Sequence, residues 1–501
     1  MEGQLCSQFS LSNSATGVKI VYTFMQQHLR LPAGLALLFV CAPVSATEVI
    51  GWTYGPNTHG ETNIPSNATN VATISTRGAE HSLALREGGT LVAWGRNNYG
   101  QTNVPPEATN VVTVAAIGYH SLALRGDGKL LAWGAGTNDS GSLVSPIPEV
   151  RDEFGQCIVP QDLTNAVAIS GGGWHSLALR RDGTVVAWGN NYFGQCNVPA
   201  SATNVVAIAG GTRHNLALLA DGKVLAWGNN SYGQINVSAN ATNVVAIACG
   251  NYYSLVLRAD GTVIGWGYNY GSPLNVPPSA TNLVAIAGGG YHVLALKPDG
   301  GVVAWGGERA GLTSVPPDAT NIVAIAAGRL YNLALVGDGS PRSTSPPLKR
   351  AVTVGGTVAF RALVVGASPL SYQWQLNDTN ITGATNVSLT LTNVPVTDAG
   401  EYVCVVTNTL GALTNAVATL TVTRQPARFD TSPANLGMTD GGFHMRVTGL
   451  AGQGPSIIYA STNLVDWDGI FTNPPYVGTL DFLDSTATNL PLRFYKAVEG
   501  P

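Results

Sequence analysis

A tryptophan that ends an apolar run recurs seven times along this 501-residue chain. The seven are Trp52, Trp94, Trp133, Trp188, Trp227, Trp266 and Trp305. Four of the six spacings between them are 39 residues, and the other two are 42 and 55. A fixed period of this length is typical of repeat architectures, in which each unit buries its apolar face against its neighbours.

The two ends of the repeat region complement each other. The last unit, residues 322–340, lacks a tryptophan run, and residues 48–55 (EVIGWTYG) supply such a run at the opposite end. An open solenoid would instead need polar capping repeats at both ends. We therefore predict an all-β fold whose residues 47–340 form a seven-bladed β-propeller, closed by one blade that is split between the two ends.

The unit at residues 205–237 shows the expected course of one blade. A β-branched run leads through a loop into a second apolar run, and Asp221-Gly222 precedes the run that ends at Trp227. Asp-Gly between apolar runs predicts a two-residue hairpin turn with both residues at positive φ. After each tryptophan we predict a short fourth strand, such as Gln195–Pro199.

Residues 171–199 (GGGWHSLALRRDGTVVAWGNNYFGQCNVP) resemble the repeat of the regulator of chromosome condensation family. The resemblance extends over residues 47–340, and the short period is more similar to compact bacterial members, which include β-lactamase inhibitory propellers. It implies a protein-binding platform. One branch of the family would imply nucleotide exchange on a small GTPase, and another would imply inhibition of a target enzyme.

The charge of the chain argues against nucleic-acid or anionic membrane partners. Lys and Arg total 25 against 29 Asp and Glu, a formal net charge of −4. Clustered cations would carry affinity for such partners. With only 11% charged residues, the composition favours a β-rich exported protein, which we expect to be a monomer without membrane insertion.

The N-terminus predicts a signal peptide over residues 1–46. Leu31–Ala42 is a short apolar core, and Val44-Ser45-Ala46 provides a small-residue cleavage site. Translation from Met25 is an alternative start. A buried segment of the folded protein and a lipoprotein are the alternative interpretations, and the prediction is a secreted or cell-surface protein.

Four cysteines would remain after cleavage: Cys157, Cys196, Cys249 and Cys404. We expect free thiols, because equivalent positions on neighbouring blades are farther apart than the roughly 7 Å between Cα atoms that a disulfide allows. No C-x-x-C pair occurs, so a thiolate zinc site is not predicted.

Two further domains are predicted after the propeller, beyond a Pro- and Ser-rich linker at residues 341–350. Residues 351–424 resemble an immunoglobulin domain of the intermediate set, with Trp374 in the core and Tyr402 two residues before Cys404, as in a tyrosine corner. Ala362 takes the place of the first cysteine, so no intersheet disulfide can form. Residues 425–501 predict a small β-sandwich, similar to fibronectin type III-like modules that end exported bacterial proteins.

One position of the repeat holds histidine in five units and tyrosine in two. The residues are His81, His120, His175, His214, Tyr253, His292 and Tyr331. One such residue per blade does not place three or four ligands around one point, as a metal requires. We predict a hydrogen-bonding and packing role, with a metal or catalytic role as the alternative, and we predict no cofactor.

Variable residues concentrate on one predicted face. Antiparallel connectivity puts the loop before the His/Tyr position and the loop after the tryptophan on the same side, here called the loop face, and the Asp-Gly turns on the opposite turn face. The candidate binding residues on the loop face are Glu80, Tyr99, Tyr119, Arg151, Trp174, Tyr192, Phe193, Arg213, Tyr232, Tyr252, Tyr268 and Tyr291. Tyr, Trp and Arg dominate binding hot spots. The alternative is that the tyrosines pack between blades.

The insertion at residues 137–153, which contains Arg151, is expected to reach over this face, although a tolerated surface insertion is the alternative.

Three functions are compatible with the sequence. The first is an exported, non-enzymatic binding or adhesion protein for a protein or surface glycan. The second is an inhibitor of an extracytoplasmic enzyme. The third, a polysaccharide hydrolase or lyase, would need converging carboxylates, and only Glu80 lies at an inner position. Nucleotide exchange is disfavoured, because a cleaved leader removes the protein from cytosolic GTPases.

Overall fold

A computed structural model of the chain describes most residues after the predicted leader. These are residues 47–55, 57–77, 80–136, 154–307, 310–345, 348–423, 428–430, 432, 434–439, 441–451, 455–475, 477–487 and 493–499. The predicted signal peptide and the insertion with Arg151 lie outside the described residues.

Seven three-stranded antiparallel sheets follow one another along the repeat region and form blades 1 to 7. Their first strands are Val71–Ser75, Val111–Ile117, Ala166–Gly171, Val205–Gly210, Val244–Cys249, Ala285–Gly288 and Ile322–Ala327. Their middle strands are His81–Arg86, His120–Arg125, His175–Arg180, His214–Leu219, Tyr253–Arg258, His292–Leu296 and Tyr331–Val336. Their third strands are Leu91–Gly95, Leu130–Gly134, Val185–Gly189, Val224–Gly228, Val263–Gly267, Val302–Gly306 and Glu48–Thr53. The middle strands are the most deeply buried, as the centre of a blade should be.

Blade 7 joins the two ends of the repeat region. Glu48–Thr53 pairs antiparallel with Tyr331–Val336, and Trp52 lies opposite Asn332. The predicted split-blade propeller is therefore confirmed.

Each repeat tryptophan links its own blade to the preceding one. The seven indole Nε1 groups donate to the carbonyls of Leu312, Glu61, Gln101, Gln156, Gln195, Gln234 and Pro273, in chain order of the tryptophans. Trp227, for example, is 5% exposed and lies 3.0 Å from the carbonyl oxygen of Gln195. Because the acceptor belongs to the preceding blade, the most regular residue of the sequence also fixes how neighbouring blades contact each other.

The predicted fourth strand is absent from the described blades. Gln195–Pro199 begins in a turn and continues as irregular backbone, without a strand ladder. The side chains of Asn191 and Asn197 close this segment with a 2.8 Å hydrogen bond. The Gln195 carbonyl accepts from Trp227 and Asn215. Side chains thus satisfy the backbone groups that strand pairing would have used.

The Asp-Gly turns also differ from the prediction. Gly183 has a φ of +83°, whereas Asp182 is not among the described residues with positive φ. Gly183 N–H donates to the Arg180 carbonyl, and Arg180 N–H donates to the Thr184 carbonyl. This is a three-residue connection with a G1 bulge. It is favoured because the Asp182 carboxylate accepts the Thr184 N–H at 2.9 Å.

The immunoglobulin-like domain has the predicted core. Tyr402 donates to the Asp398 carbonyl at 2.9 Å, and its ring stacks on Phe360 with 4.8 Å between centroids. Trp374 and Ala362 are buried. The strands are Arg350–Thr353, Val358–Arg361, Val364–Val365, Ser371–Leu376, Thr379–Asn380, Ser388–Leu391, Gly400–Asn408, Gly411–Thr414 and Ala418–Thr423. A short 3-10 helix, Val396–Asp398, precedes the tyrosine corner.

This domain lies against the turn face of the propeller. The Arg361 guanidinium donates to the carbonyls of Ala259 and Leu283 and to Asn282 Oδ1, at 3.1, 2.9 and 2.6 Å. Arg350 donates to the Val244 carbonyl at 2.9 Å. All four acceptors belong to blades 5 and 6 and lie at the turn-face ends of their first and middle strands.

The segment predicted as a linker takes part in this packing. Arg342–Ser343 forms a two-residue strand that pairs with Val364–Val365. The Thr344 hydroxyl donates to the Val284 carbonyl of blade 6. Hydrogen bonds therefore join this segment both to the immunoglobulin-like domain and to blade 6.

The C-terminal residues form two further β-sheets around Met445, Val447, Leu450 and Ile458. Their strands are Arg428–Phe429, Leu436–Thr439, Gly442–Ala451, Ser456–Ser461, Asp468–Asn473, Val477–Asp484 and Phe494–Glu499. Among the described residues the one α-helix is Ala310–Thr313, and none of the described helices has the length and apolar character needed to cross a membrane.

None of the four cysteines of the described chain forms a disulfide. Cys249 and Cys404 are buried, and burial raises the pKa of each thiol to about 12. These two residues therefore pack as small apolar side chains rather than as thiolates.

Candidate recognition face

The loops that join first and middle strands surround a cavity of about 180 Å³ at the centre of the loop face. We call this cavity the axial bowl. Its side-chain lining includes Arg77, Glu80, Tyr119, Trp174, Thr212, Asn251, Tyr252, Tyr291 and Arg329, and glycines supply much of the remainder. Loops from all seven blades thus contribute to one site.

The backbone of neighbouring blades meets around the bowl. Gly173 N–H donates to the Thr212 carbonyl at 3.2 Å, and Thr212 N–H donates to the Asn251 carbonyl at 3.1 Å. A Cβ at Gly172 would lie only 1.9 Å from the Gly211 carbonyl oxygen. Glycine is therefore required for this close approach, and the hydrogen-bonded loops form a firm base for the side chains above.

Aromatic rings form a continuous row on the side of blades 1 to 4. The ring of Tyr119 lies 5.6 Å from that of Tyr99 and 6.0 Å from that of Trp174, between centroids. The Arg213 guanidinium lies 5.6 Å from the Trp174 centroid and 4.8 Å from the Phe193 centroid. These distances are those of aromatic pairs and cation–π contacts.

A second row covers the side of blades 4 to 6 and consists of five tyrosines. Tyr232 lies 5.5 Å from Tyr252 and 4.4 Å from Tyr268. Tyr291 lies 6.4 Å from Tyr268 and 5.9 Å from Tyr270. The two rows together are called the aromatic rows below.

The aromatic rows both join blades and face solvent. Tyr99 follows the tryptophan of blade 1, and Tyr119 precedes the histidine of blade 2, so this pair crosses a blade boundary. Packing between blades, the alternative interpretation, is therefore present. Even so, Tyr192 is 84% exposed and Tyr270 is 55% exposed, which leaves large apolar rings in contact with water.

The Glu80 carboxylate forms salt bridges with two arginines. Its carboxylate lies 2.6 Å from Arg96 Nη1 and 2.8 Å from Arg329 Nη1. Partial burial opposes ionisation of Glu80, but the hydrogen bonds and positive charges of the two arginines outweigh it and lower the pKa of the carboxyl. Glu80 therefore neutralises cations and is not available as a general acid.

The structure brings most of the predicted site residues together. Glu80, Tyr119, Trp174, Tyr252 and Tyr291 line the bowl. The predicted residues in ring or cation–π contact with these are Tyr99, Arg213, Tyr232 and Tyr268. Phe193 contacts Arg213, and Tyr192 packs on Phe193 farther out. Arg151 lies outside the described residues.

Sequence analysis missed Arg77, which lies at the base of the bowl. Its Nη1 donates to Ser170 Oγ at 2.9 Å and to the Gly210 carbonyl at 3.2 Å, so a blade 1 side chain contacts blades 3 and 4. A signal was present, because the equivalent position holds only small residues in five other blades. Those residues are Gly172, Gly211, Gly250, Gly289 and Gly328.

The His/Tyr position forms a circle of hydrogen bonds between successive blades, as predicted. The histidine Nε2 atoms contact Ser121, Ser176, Asn215, Ser254 and Asn332 at 2.7–3.1 Å. Tyr253 donates to the His292 carbonyl, and Tyr331 donates to the His81 carbonyl. The acceptor residue lies in the next blade each time.

These histidines are neutral. Burial lowers the pKa of His81, His120 and His214 to about 3 and the pKa of His175 and His292 to about 4. Within the described part of the chain, no three His, Cys, Asp or Glu side chains form a group suited to a metal ion.

Comparison with known proteins agrees with this architecture. The model of the regulator of chromosome condensation (RCC1) repeat matches residues 71–101, 166–195, 205–234 and 244–271, and an immunoglobulin-domain model matches residues 340–408. The chain therefore contains four recognised repeats of this type and an immunoglobulin-like domain. Both are typically protein-interaction modules and typically non-catalytic.

Solved structures give a more limited similarity. The ectodomain of the receptor kinase CR4 from Physcomitrella patens is 20% identical, with 52% of this chain and 68% of that chain covered and a TM-score of 0.39. The CRINKLY WD40 ectodomain of the Arabidopsis thaliana receptor kinase ACR4 is 20% identical, with coverages of 56% and 97% and a TM-score of 0.41. No curated protein matches the chain significantly. These similarities identify neither a ligand nor an activity.

Proposed function

We propose that this chain is an exported, non-enzymatic recognition protein that binds a protein ligand on its loop face. The observation that carries the proposal is the contrast between the two faces of the propeller. The turn face of blades 5 and 6 is covered by the immunoglobulin-like domain through Arg361 and Arg350. The opposite face presents the aromatic rows around the axial bowl.

The chemistry of the loop face suits protein recognition. Aromatic rings and arginines bury large areas and retain polar groups for hydrogen bonds, which makes them the usual hot-spot residues. The glycine-rich base holds these side chains in place before a ligand arrives, which reduces the entropy that binding would cost. Export is supported by the leader-like sequence and by the low content of charged residues.

An enzyme that acts on polysaccharide is disfavoured by the same geometry. A glycosidase requires two carboxyl groups on opposite sides of the scissile bond. Glu80 is the one carboxylate among the described residues that line the bowl, and two arginines already engage it. An inhibitor of an extracytoplasmic enzyme would use the same face, so it is a special case of the proposed function.

The proposal is tested by capture from the cell envelope and culture medium of the source organism. The purified chain, immobilised through its C-terminal end, is compared with a Trp174→Ala, Tyr252→Ala double variant and with a Trp467→Ala control. Trp467 lies in the C-terminal domain and contacts Lys496. We expect a protein that is retained by the wild type and the control and lost from the double variant. Equal retention on all three would refute a ligand on the loop face.

A further inference from the structure

The axial bowl is positively charged although the chain as a whole is acidic. Arg77 and Arg329 line the bowl, and Arg96 and Arg213 lie beside it. Among the described residues, Glu80 is the one carboxylate that contacts any of these arginines. Four positive charges against one negative charge leave three positive charges among these described groups. The formal net charge of the chain is −4, so this excess is local.

Two of these arginines have no acidic partner among the described residues. Arg77 uses Nη1 for neutral acceptors, Ser170 Oγ and the Gly210 carbonyl. Arg213 is held over the rings of Trp174 and Phe193. Buried or half-buried cations are usually paired with an acid, and the described residues on the side of blades 3 and 4 include no such partner for Arg77 or Arg213.

Arg77 lines the bowl, and Arg213 lies beside the bowl over the lining residue Trp174. Arg77 contacts Gly210, and Arg213 follows Gly210 by three residues in the loop of blade 4. Burial lowers the pKa of the Arg77 guanidinium from its ordinary value, but an arginine remains charged at neutral pH. Its remaining N–H groups have no hydrogen-bond partner among the described residues, so the guanidinium retains donors for a ligand.

The size of the bowl restricts what can enter it. Small-molecule and cofactor sites commonly measure about 300–1,000 Å³, whereas this cavity measures about 180 Å³. That space suits a single side chain. The aromatic rows around it are broad, and they suit the surrounding surface of a protein better than a free small ligand.

We propose that the axial bowl receives an Asp or Glu side chain from an acidic segment of the protein ligand, with Arg77 and Arg213 as its carboxylate-binding residues. This inference rests on the proposed function, because it assigns the chemistry of the ligand of the loop face. The carboxylate supplies an acidic partner for Arg77 and Arg213, which have none among the described residues, and the aromatic rows contact the residues on either side of it. An arginine pair is suited to this task because a guanidinium binds a carboxylate through two parallel hydrogen bonds.

The test uses fluorescein-labelled octaglutamate as the probe and the same peptide with glutamine throughout as its uncharged counterpart. Binding to the whole chain is followed by fluorescence anisotropy at low ionic strength. Arg77→Met and Arg213→Met each remove one charge and retain an apolar stem. Arg125→Met is the matched control, because Arg125 lies on the turn face beside Asp127 and its loss changes the net charge equally.

We expect octaglutamate to bind the wild type and the Arg125→Met control with similar affinity. Arg77→Met and Arg213→Met should each weaken binding by about tenfold or more, as for truncation of one partner in a close charge pair. Arg77 also holds Ser170 and Gly210, so Arg77→Met could fail to fold. In that event the Arg213→Met variant tests the proposal, because Arg213 is only half-buried.

Three results would overturn the inference. The first is an absence of octaglutamate binding to the wild type, or equal binding of the glutamate and glutamine peptides. The second is equal affinity of the arginine variants and the control. The third is displacement of octaglutamate by polygalacturonate at a lower carboxylate concentration than by unlabelled octaglutamate, which would indicate an acidic glycan.

The envelope-capture experiment separates this inference from the proposed function. If Trp174→Ala, Tyr252→Ala loses the captured protein but Arg77→Met and Arg213→Met retain it, the loop face is the recognition surface and the carboxylate subsite is wrong. If all of these variants retain it, both proposals are wrong.

Discussion

The Tyr331 hydroxyl lies 2.8 Å from Ser82 Oγ, and this contact joins the last blade of the propeller to the first. The same hydroxyl donates to the His81 carbonyl at 2.8 Å and lies 2.6 Å from Thr76 Oγ1. Tyr331 therefore takes the place of the histidine that performs this task in five other blades.

Removal of this hydroxyl should weaken ring closure. We expect Tyr331→Phe to lower the free energy of unfolding of the propeller by about 1–3 kcal/mol, because it leaves buried polar groups without a partner. Tyr253→Phe is the matched control, since Tyr253 makes the equivalent contact between blades 5 and 6. Urea denaturation followed by tryptophan fluorescence measures both. An unchanged midpoint for Tyr331→Phe would contradict a role in closure.

The split blade should depend on its N-terminal strand. Deletion of residues 47–56 removes Trp52 and leaves Tyr331–Val336 without its pairing partner. We expect a loss of at least the about 3–5 kcal/mol typical of one buried tryptophan. Deletion of residues 425–501 should leave propeller melting nearly unchanged by calorimetry. If the two truncations melt alike, the N-terminal strand does not close the ring.

The two classes of aromatic residue should respond differently to truncation. Trp227 is buried and bonded to Gln195, so Trp227→Ala should destabilise the propeller by about 3–5 kcal/mol. Tyr252→Ala loses ring contacts with Tyr232 and Tyr268 and should cost about 0.5–1.5 kcal/mol per ring pair. The free energy of ligand binding should weaken by about 1–4 kcal/mol in Tyr252→Ala but not in Trp227→Ala. Equal destabilisation by both, with affinity unaltered, would assign Tyr252 a purely structural role.

The buried histidines should make the propeller sensitive to acid. Unfolded histidine binds a proton below its ordinary pKa near 6.5, whereas His214 in the folded chain binds one only near its pKa of about 3. The unfolded state then holds more protons, so stability falls as the pH decreases from about 6.5 towards 3. Each such histidine contributes about 1.4 kcal/mol per pH unit well inside this window.

Urea denaturation at a series of pH values measures this dependence. His214→Gln should reduce the slope of unfolding free energy against pH by about one proton. A slope identical to that of the wild type would mean that His214 titrates normally in the folded chain.

Export predicts a defined N-terminus. Because Ala46 ends the small-residue site that follows the apolar core, the secreted chain should begin at Thr47. N-terminal sequencing of the protein from culture medium checks this. Recovery of a cytosolic chain that retains Leu31–Ala42 would contradict the proposed location.

The period of the tryptophans was sufficient to predict the blades and their closure, because each tryptophan occupies the same buried site and the ends of the repeat complement each other. The absence of a fourth strand from the described blades could not be predicted from this period. Gln195–Pro199 has the length of a strand, but Trp227 and Asn215 bind its carbonyl group. Local sequence does not indicate that a neighbouring blade will supply these donors.

The same limit applies to the loop face. Trp174, Tyr252 and Tyr291 could be identified because the residue just before the His/Tyr position varies from one unit to the next. Arg77 was missed because its partner Ser170 is 93 residues away in sequence. That contact exists only after the blades have closed into a ring.

The contacts of Arg361 with Ala259 and Leu283 have a mechanical consequence. The chain leaves blade 7 after Tyr331–Val336, the strand that pairs with the closing strand Glu48–Thr53, and then runs along the turn face to blades 5 and 6. A pulling force at the C-terminal end is therefore borne first by the contacts of Arg361 and Arg350 and reaches the closing strand only after they break. The split blade is thus shielded from tension that is applied at the C-terminal end.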